Sequence, residues 1–275
     1  MKKNIVLIAL GCSLLLQISC NSYNTVLKAQ DYDYRYEAAK EYYAAGQYNR
    51  CYQLLEDMLL LMKGTDRGEE CMIMLAMCYY NMRDYETSGS YFERYYKSYP
   101  KGDYAELARY YSGRAAYLMS PDPRLDQTST YSAITRLQDY LEYYPYSERR
   151  EMVSDMIYQL QNRLVEKDLE NVKLYYNLGN YIGNCIYGGS NYEACILSAE
   201  NTLKTYPYTT YREELYLYIL RARYKLAVNS VAEKAEERYR QTVDEYYGFK
   251  NEFPESKHIK EAEQIFRHCS DVLKL

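Results

Sequence analysis

The sequence predicts an all-α protein, a helical solenoid of about five helix pairs. Only 12 Gly and 6 Pro occur among 275 residues, which leaves little material for the many turns of an all-β fold. Pairs of an aromatic residue and a proline recur along the chain, each preceded by apolar residues at i, i+3, i+4 and i+7. That spacing is typical of a helix that packs by one face. The apolar share of 48% is enough to build a buried core.

The chain opens with an export signal. Two lysines precede an apolar stretch from Ile5 to Leu16, and a positive start followed by a short apolar run is the pattern of a signal peptide. We assign residues 1–19 to it. A Cys that follows a small residue at this point resembles a lipobox, in which the thiol of Cys20 is acylated and becomes the mature N-terminus. No later segment has the roughly 18 apolar residues of a membrane span, so a lipid on Cys20 is the expected attachment.

The residues after Cys20 predict where the anchor lies. Residues 20–30 are expected to be the lipidated Cys and a polar tether, followed by the repeat domain over residues 31–275. In some bacterial lipoproteins, an acidic run after the Cys resembles a surface-export signal. The tether has no such run, which favours an outer membrane anchor that faces the periplasm. The alternative is an ordinary signal peptide with a chance Cys.

The repeat has a fixed internal geometry. The aromatic-proline pairs are Tyr99-Pro100, Tyr144-Pro145, Tyr206-Pro207 and Phe253-Pro254. Two residues after each proline stand Gly102, Ser147, Thr209 and Ser256, and fifteen residues before it stand Tyr85, Thr130, Tyr192 and Tyr239. Fifteen residues suit one helix of about four turns. The proline ends that helix, and the small or hydroxyl residue can cap the next one.

Two further elements complete the predicted repeat array. A helix pair without a closing proline is expected upstream, with its second helix near Tyr48. The stretch from Ser147 to Asn184 is charged on one face and predicts a long helix between repeats. Each unit buries only one face, so the units are expected to stack into a solenoid with a concave surface.

The composition and motifs argue against an enzyme and against nucleic-acid binding. The formal net charge of -4 and the absence of a basic stripe do not suit a protein that follows phosphates. We find none of the common catalytic or nucleotide-binding motifs, and the two His residues are few for metal chemistry. Neither a cofactor nor a metal site is expected. Six Cys remain besides Cys12 and Cys20; buried thiols are favoured over disulfides, and Cys71 with Cys78 is the pair most worth testing.

Tyrosine dominates the aromatic residues, with 39 Tyr, 4 Phe and no Trp. Tyrosine combines a large contact area with a hydrogen-bonding tip, which suits surfaces that bind extended chains. Adjacent helical residues differ by 100°, so the members of a Tyr-Tyr doublet cannot both pack on one neighbour. The doublets are Tyr42-Tyr43, Tyr79-Tyr80, Tyr95-Tyr96, Tyr110-Tyr111 and Tyr175-Tyr176. The candidate peptide-binding residues are Tyr36, Tyr43, Tyr79 and Tyr80, with plain core packing as the alternative.

The order of these features resembles a known family. The helix pairs resemble tetratricopeptide repeats (TPR). Together with the lipobox, the proline-containing insertion before Tyr131, and the segment from Ser132 to Ser147 followed by a long helix, they resemble the BamD family. These are TPR lipoproteins of the outer-membrane β-barrel assembly machinery. The resemblance implies a non-enzymatic scaffold that docks to a BamA-like barrel subunit through its C-terminal repeats and receives unfolded outer-membrane protein precursors in an N-terminal groove.

The resemblance directs attention to the C-terminal half as a docking surface. Charged residues there would set partner choice and association rate, while a few aromatic residues would carry most of the binding energy. The candidate docking residues are Arg212, Tyr216, Tyr218, Arg221, Arg223 and Tyr224. Two other readings are a periplasmic TPR scaffold of the Tol-Pal coordinator type and a SusD-like nutrient-binding lipoprotein. The first usually has an N-terminal coiled coil, and the second is longer and stacks Trp on sugars.

Overall fold

The computed structural model describes residues 23–62, 64–181 and 190–275, apart from the side chain of Asp66. Within these ranges the chain is helical and contains no strand, which confirms the all-α prediction. The helices are α1 (residues 23–27), α2 (Tyr32–Ala44), α3 (Tyr48–Leu59), α4 (Asp66–Asn81), α5 (Tyr85–Ser98), α6 (Ala105–Met119), α7 (Thr128–Tyr143), α8 (Arg150–Leu178), α9 (Asn191–Thr205), α10 (Arg212–Val228), α11 (Ala232–Glu252) and α12 (Ile259–Leu273).

The described helices form two compact units. Unit 1 takes the described residues up to Ser120 together with Thr128–Met156, and unit 2 takes Pro121–Gln127 and the described part of Ile157–Leu275. In each unit, the helices that pack closely are neighbours in the chain or next neighbours. Two helices thus make one repeat, and α2 to α11 provide five such pairs in the described part of the chain. This is the TPR-like architecture that the sequence predicts.

Each unit has its own apolar core. In unit 1, the cluster formed by α2 to α6 includes the fully buried side chains of Leu54, Leu75 and Phe92. In unit 2, Val165 and Leu169 of α8 pack with residues of α9 and α10. A second cluster joins α10, α11 and α12. No helix in the described ranges is both long enough and apolar enough to cross a membrane.

The second helix of each repeat ends where the aromatic-proline pairs predict. The helices α5, α7 and α9 stop at the residue before the aromatic member of the pair. The exception is α3, which lacks the proline and stops at Leu59. Side-chain caps open other helices: the carboxylates of Asp31 and Asp84 accept bonds from backbone N–H groups of α2 and α5.

The residue two places after each proline links the end of a repeat to the first helix of the same repeat. The Ser147 hydroxyl donates to Glu106 of α6 at 2.7 Å and accepts from the Arg149 backbone N–H at 3.1 Å. Thr209 and Ser256 make the equivalent pair of bonds one and two repeats later. Each hydroxyl accepts from the N–H of the residue just before the next helix, and neither α10 nor α12 has a side-chain cap on its first turn. The predicted capping role is therefore wrong for these two helices, and the hydroxyls link the two ends of one repeat instead.

Gly102 takes this place in the second repeat. There the Tyr95 hydroxyl donates to the carboxylate of Glu69 in α4, and a Cβ on residue 102 would collide with that carboxylate. A tyrosine hydroxyl thus replaces the Ser or Thr hydroxyl of the other repeats. A larger residue at this place would displace the ends of the Glu69 and Tyr95 side chains.

The described cysteines are buried free thiols: Cys51, Cys71, Cys78, Cys195 and Cys269. Burial raises the pKa of Cys71 and of Cys195 to about 12, so both thiols stay protonated at neutral pH. Cys78 is hydrogen-bonded to Cys51 of α3, not to Cys71. This hydrogen bond and burial together raise the pKa of Cys78. Cys185 and Cys20, with the predicted signal peptide, lie outside the described residues.

Candidate peptide-binding site

The first helices of the first three repeats bring tyrosines and an arginine together in unit 1. We call this set the Tyr80 cluster: Tyr43 of α2, Tyr80 of α4, and Tyr111 with Arg114 of α6. The rings of Tyr80 and Tyr111 meet edge to face, with centroids 4.9 Å apart and planes at 76°. The Arg114 guanidinium lies 5.8 Å from the Tyr80 centroid and 5.9 Å from that of Tyr111. Tyr43, Tyr80, Tyr111 and Arg114 are all partly exposed, so a ligand can reach them.

Buried aromatic packing holds the Tyr80 cluster in place from below. Phe92 of α5 is fully buried and stacks on Tyr111, with centroids 5.4 Å apart and planes at 20°. Tyr85, at the start of α5, packs edge to face on Tyr80 at 5.4 Å. Because Phe92, which also packs edge to face on Tyr80 at 6.5 Å, is fixed in the core, the exposed faces of Tyr80 and Tyr111 are held in position before any ligand arrives.

Tyr43 and Tyr80 are neutral at physiological pH. The pKa of Tyr43 is raised to about 12, chiefly by burial, with smaller contributions from nearby thiols and tyrosines, Tyr111 among them. Burial also raises the pKa of Tyr80 to about 12, although the positive charge of Arg114 acts against the shift. Both hydroxyls can therefore donate and accept hydrogen bonds.

Arg114 is the only charged member of the Tyr80 cluster. Within the described ranges, its guanidinium forms no ion pair or hydrogen bond with the protein and contacts only tyrosine rings. Arg136 on α7 differs, since it pairs with Glu93 at 2.9 Å. Arginine presents donors in a fork that matches a carboxylate. The Tyr80 cluster can accordingly bind an aromatic ring beside a carboxylate.

The structure separates the four tyrosines that sequence reasoning grouped together. Tyr36 is 3% exposed and its hydroxyl donates to Glu70, so a peptide could not reach its ring. Tyr79 faces other neighbours than Tyr80: it stacks on Tyr91 with centroids 5.6 Å apart and donates to Glu56 of α3. Only Tyr43 and Tyr80 of the original set belong to the Tyr80 cluster.

Two members of the Tyr80 cluster, Tyr111 and Arg114, were missed by sequence reasoning. The Tyr110-Tyr111 doublet was the available signal, since its members point to different neighbours: Tyr110 is 4% exposed, while Tyr111 remains partly exposed. Arg114 had no signal of its own. Its role depends on rings from α4, more than thirty residues earlier in the chain.

The arginines among the candidate docking residues of α10 are all paired within unit 2. Arg221 binds Glu261 of α12 through two bonds of 2.6 Å. Arg223 binds Glu200 of α9 at 2.5 Å and Glu245 of α11 at 3.0 Å. Arg212 pairs with Glu252 near the end of α11. These three side chains connect α10 to its neighbours, and their charges are compensated inside the unit.

The three candidate docking tyrosines of α10 also have aromatic neighbours. Tyr216 lies 5.7 Å from Phe253, Tyr218 lies 5.4 Å from Tyr176, and Tyr224 lies 5.7 Å from His268, measured between ring centroids. They do not form one patch. Tyr224 and Arg221 line a groove of about 340 Å³ between α8, α10 and α12; its other residues are Tyr176, Lys225, Glu261, Gln264 and Ile265.

One charge at this groove has no counterpart. Lys225 is exposed and forms no ion pair with any described residue.

The described residues also contain no group of three or more His, Cys, Asp or Glu side chains arranged to hold a metal ion.

Comparisons with known proteins bear on the fold and the family. No curated protein is significantly similar to this chain. Two crystal structures of a Podosopora anserina kinesin light chain with nearly identical TPR-like repeats are similar to it. The first, a Q17M variant, is 12% identical to this chain and has a TM-score of 0.36. The match covers 81% of this chain and 95% of that chain. The second is 11% identical and has a TM-score of 0.37, and the match covers 83% of this chain and 100% of that chain.

The family comparison covers more than half of the chain. The YfiO family, described as outer membrane lipoprotein, matches residues 28–186. That range includes the Tyr80 cluster and the helices from α2 to α8. The protein therefore belongs to the YfiO family of outer membrane lipoproteins.

Proposed function

We propose that this protein is a non-enzymatic scaffold of the outer-membrane β-barrel assembly complex, anchored through a lipid on Cys20 and facing the periplasm. It binds unfolded outer-membrane protein precursors with unit 1 and a BamA-like barrel subunit with unit 2. Membership of the YfiO family and the TPR-like repeats support this proposal. The observation that carries it is the Tyr80 cluster, a prearranged aromatic surface with one uncompensated cation inside the matched range.

The chemistry of the Tyr80 cluster selects one class of ligand. In our proposal, an extended precursor segment places an aromatic side chain against the exposed faces of Tyr80 and Tyr111. The terminal carboxylate of that segment reaches Arg114, whose guanidinium N–H groups donate two parallel hydrogen bonds to it. The C-terminal strands of barrel precursors, which end in an aromatic residue, have both groups. The neutral hydroxyls of Tyr43 and Tyr80 bind the peptide backbone.

Replacing Arg114 with Gln is expected to weaken binding of such a peptide by about 10-fold or more, since a hydrogen bond to a charged group contributes roughly 1.5–3 kcal/mol. The measurement is the fluorescence anisotropy of a labelled peptide taken from the C-terminal strand of a barrel precursor. Arg94→Gln is the matched control, because it removes the same charge from an exposed position on α5. It should leave the affinity unchanged.

The same assay tests the carboxylate directly. A peptide with an amidated C-terminus should bind the unaltered protein as weakly as the free-acid peptide binds the Arg114→Gln variant, and that variant should not distinguish the two peptides. Equal loss in the Arg94 and Arg114 variants would mean that charge alone attracts the peptide. Full affinity of the amidated peptide would refute the role of Arg114.

We propose that docking to the BamA-like subunit uses the groove lined by Arg221, Tyr224 and Lys225. Arg221, paired with Glu261, shapes this groove, and the exposed Lys225 provides its free charge. Free charges at the rim of an interface act chiefly on the association rate. The buried part of the contact is Tyr224, because a few aromatic side chains usually dominate the binding energy.

Lys225→Glu in the full-length protein is expected to slow association with the purified periplasmic domains of the barrel subunit and to make it less sensitive to salt. Surface plasmon resonance at two salt concentrations measures both effects. Lys204→Glu reverses an equally exposed charge on α9, away from the groove, and should leave the rate unchanged. If both variants, or neither, slow association, docking does not use this groove.

A further inference from the structure

We propose that one end of unit 1, the turn between α2 and α3, rests on the lipid headgroups of the membrane that holds the anchor. This end comprises residues 42–53 together with Tyr23, and we call it the α2–α3 end. The inference rests on the proposed function in one respect, the lipid on Cys20.

The chain is attached to the fold almost immediately after Cys20. The Tyr23 hydroxyl donates to Gln53 of α3 at 2.5 Å, and its ring packs edge to face on Tyr42 with centroids 5.7 Å apart. The Arg50 guanidinium lies over both rings, at 5.4 and 5.7 Å. Three residues later, Val26 is 6% exposed within the core of unit 1. Most of the segment predicted to be a tether is therefore packed against the repeats.

This attachment leaves little length between lipid and protein. Only residues 21 and 22 separate Cys20 from Tyr23. Three steps along a fully extended chain cover at most about 11 Å. The lipid-bearing residue therefore stays within that distance of Tyr23, and the surface around Tyr23 must lie close to the headgroups.

The α2–α3 end has the composition of a membrane-facing surface. Besides Tyr43, which belongs to the Tyr80 cluster, it contains the tyrosines at positions 42, 48 and 52 and one cation, Arg50. No acidic residue occurs between Glu41 and Glu56. Tyrosine is enriched at membrane interfaces, and a surface without carboxylates is not repelled by anionic lipids.

The opposite end of the same helix pair has a different composition. Asp31 and Asp33 stand at the start of α2, and Asp57 stands near the end of α3. The three aspartates of this helix pair thus lie away from the α2–α3 turn, whereas Glu41 is in the last turn of α2, beside the α2–α3 end. The short attachment is the observation that sets the orientation, and the positions of the aspartates agree with it.

The absence of tryptophan from the chain allows a direct test. A single introduced Trp is the only one in the protein, and its emission reports its surroundings. Asn49→Trp places it at an exposed position of the α2–α3 end, and Leu61→Trp places it at an exposed position beyond the other end of α3, which is about 18 Å long. Each full-length lipidated variant is reconstituted into vesicles of phosphatidylcholine and phosphatidylglycerol, with and without brominated phosphatidylcholine.

We expect the brominated lipid to quench the Trp at position 49, and its emission to shift to shorter wavelength on reconstitution. The Trp at position 61 should show neither change. Flotation of the same vesicles reports the anchor separately. Protein that floats with the vesicles but shows equal quenching, or none, at the two positions would overturn the proposed orientation alone. Protein that fails to float would instead overturn the lipid on Cys20, and the orientation with it.

Discussion

Replacing Phe92 with Ala is expected to lower the free energy of unfolding by about 3–5 kcal/mol, the range found when a buried Phe is truncated. The side chain is fully buried in the core of unit 1 and stacks on Tyr111. Its removal loses apolar burial and leaves a cavity that helices on several sides cannot fill by collapsing. Urea unfolding followed by circular dichroism at 222 nm measures the loss.

Tyr146→Ala is the matched control for this prediction. Tyr146 is 96% exposed, so its removal should change the free energy of unfolding by no more than about 0.5 kcal/mol. Phe92→Leu keeps most of the apolar volume and should fall between the two. Similar losses for Phe92→Ala and Tyr146→Ala would mean that Phe92 does not support the core, and the preorganisation of the Tyr80 cluster would lose its basis.

Replacing Cys20 with Ala is expected to release the protein from the membrane completely. In our proposal the lipid on Cys20 is the membrane attachment, and a thioether-linked lipid cannot form on Ala. Stable anchoring requires more than one acyl chain, which a lipidated N-terminal Cys carries. Membrane fractionation and immunoblotting of cells that express the variant measure the release.

The released protein should still fold, because no residue of the described helices is changed. Its thermal unfolding should match that of the unaltered protein after detergent extraction. Cys12→Ala is the control, since it removes a second Cys of the same leader and should remain in the membrane fraction. Retention of the Cys20 variant, or release of both, would contradict acylation at Cys20.

Helix boundaries could be predicted because local chemistry sets them. A proline cannot continue a helix, so the ends of α5, α7, α9 and α11 follow from four short motifs. Where this chemistry is weaker, the prediction is less accurate: α11 starts at Ala232, well before Tyr239. The predicted helix from Ser147 to Asn184 is α8, which begins at Arg150 and ends at Leu178, earlier than predicted. Residues 179–181 are not helical, and residues 182–184 lie outside the described ranges.

The candidate site was less accessible to sequence reasoning, because its contacts join helices far apart in the chain. Helical spacing shows that Tyr79 and Tyr80 point to different neighbours, but not which of them remains exposed. The sequence leaves open whether Tyr36 lines a groove or packs in the core, and only the structure shows that Glu70 and the core enclose it. The density of charge on α10 was visible, whereas the partners of Arg223 on α9 and α11 were not.

The packing of each described helix mainly against its neighbours in the chain has a consequence for export. A protein that crosses a membrane as an unfolded chain emerges from one end, and a fold with distant pairings must wait for its last segment. Here, each repeat can pack as soon as the next one has emerged, because loop closure between neighbouring helices has a small entropic cost. Such a chain exposes its apolar surface only briefly, which lowers its risk of aggregating before it reaches its membrane.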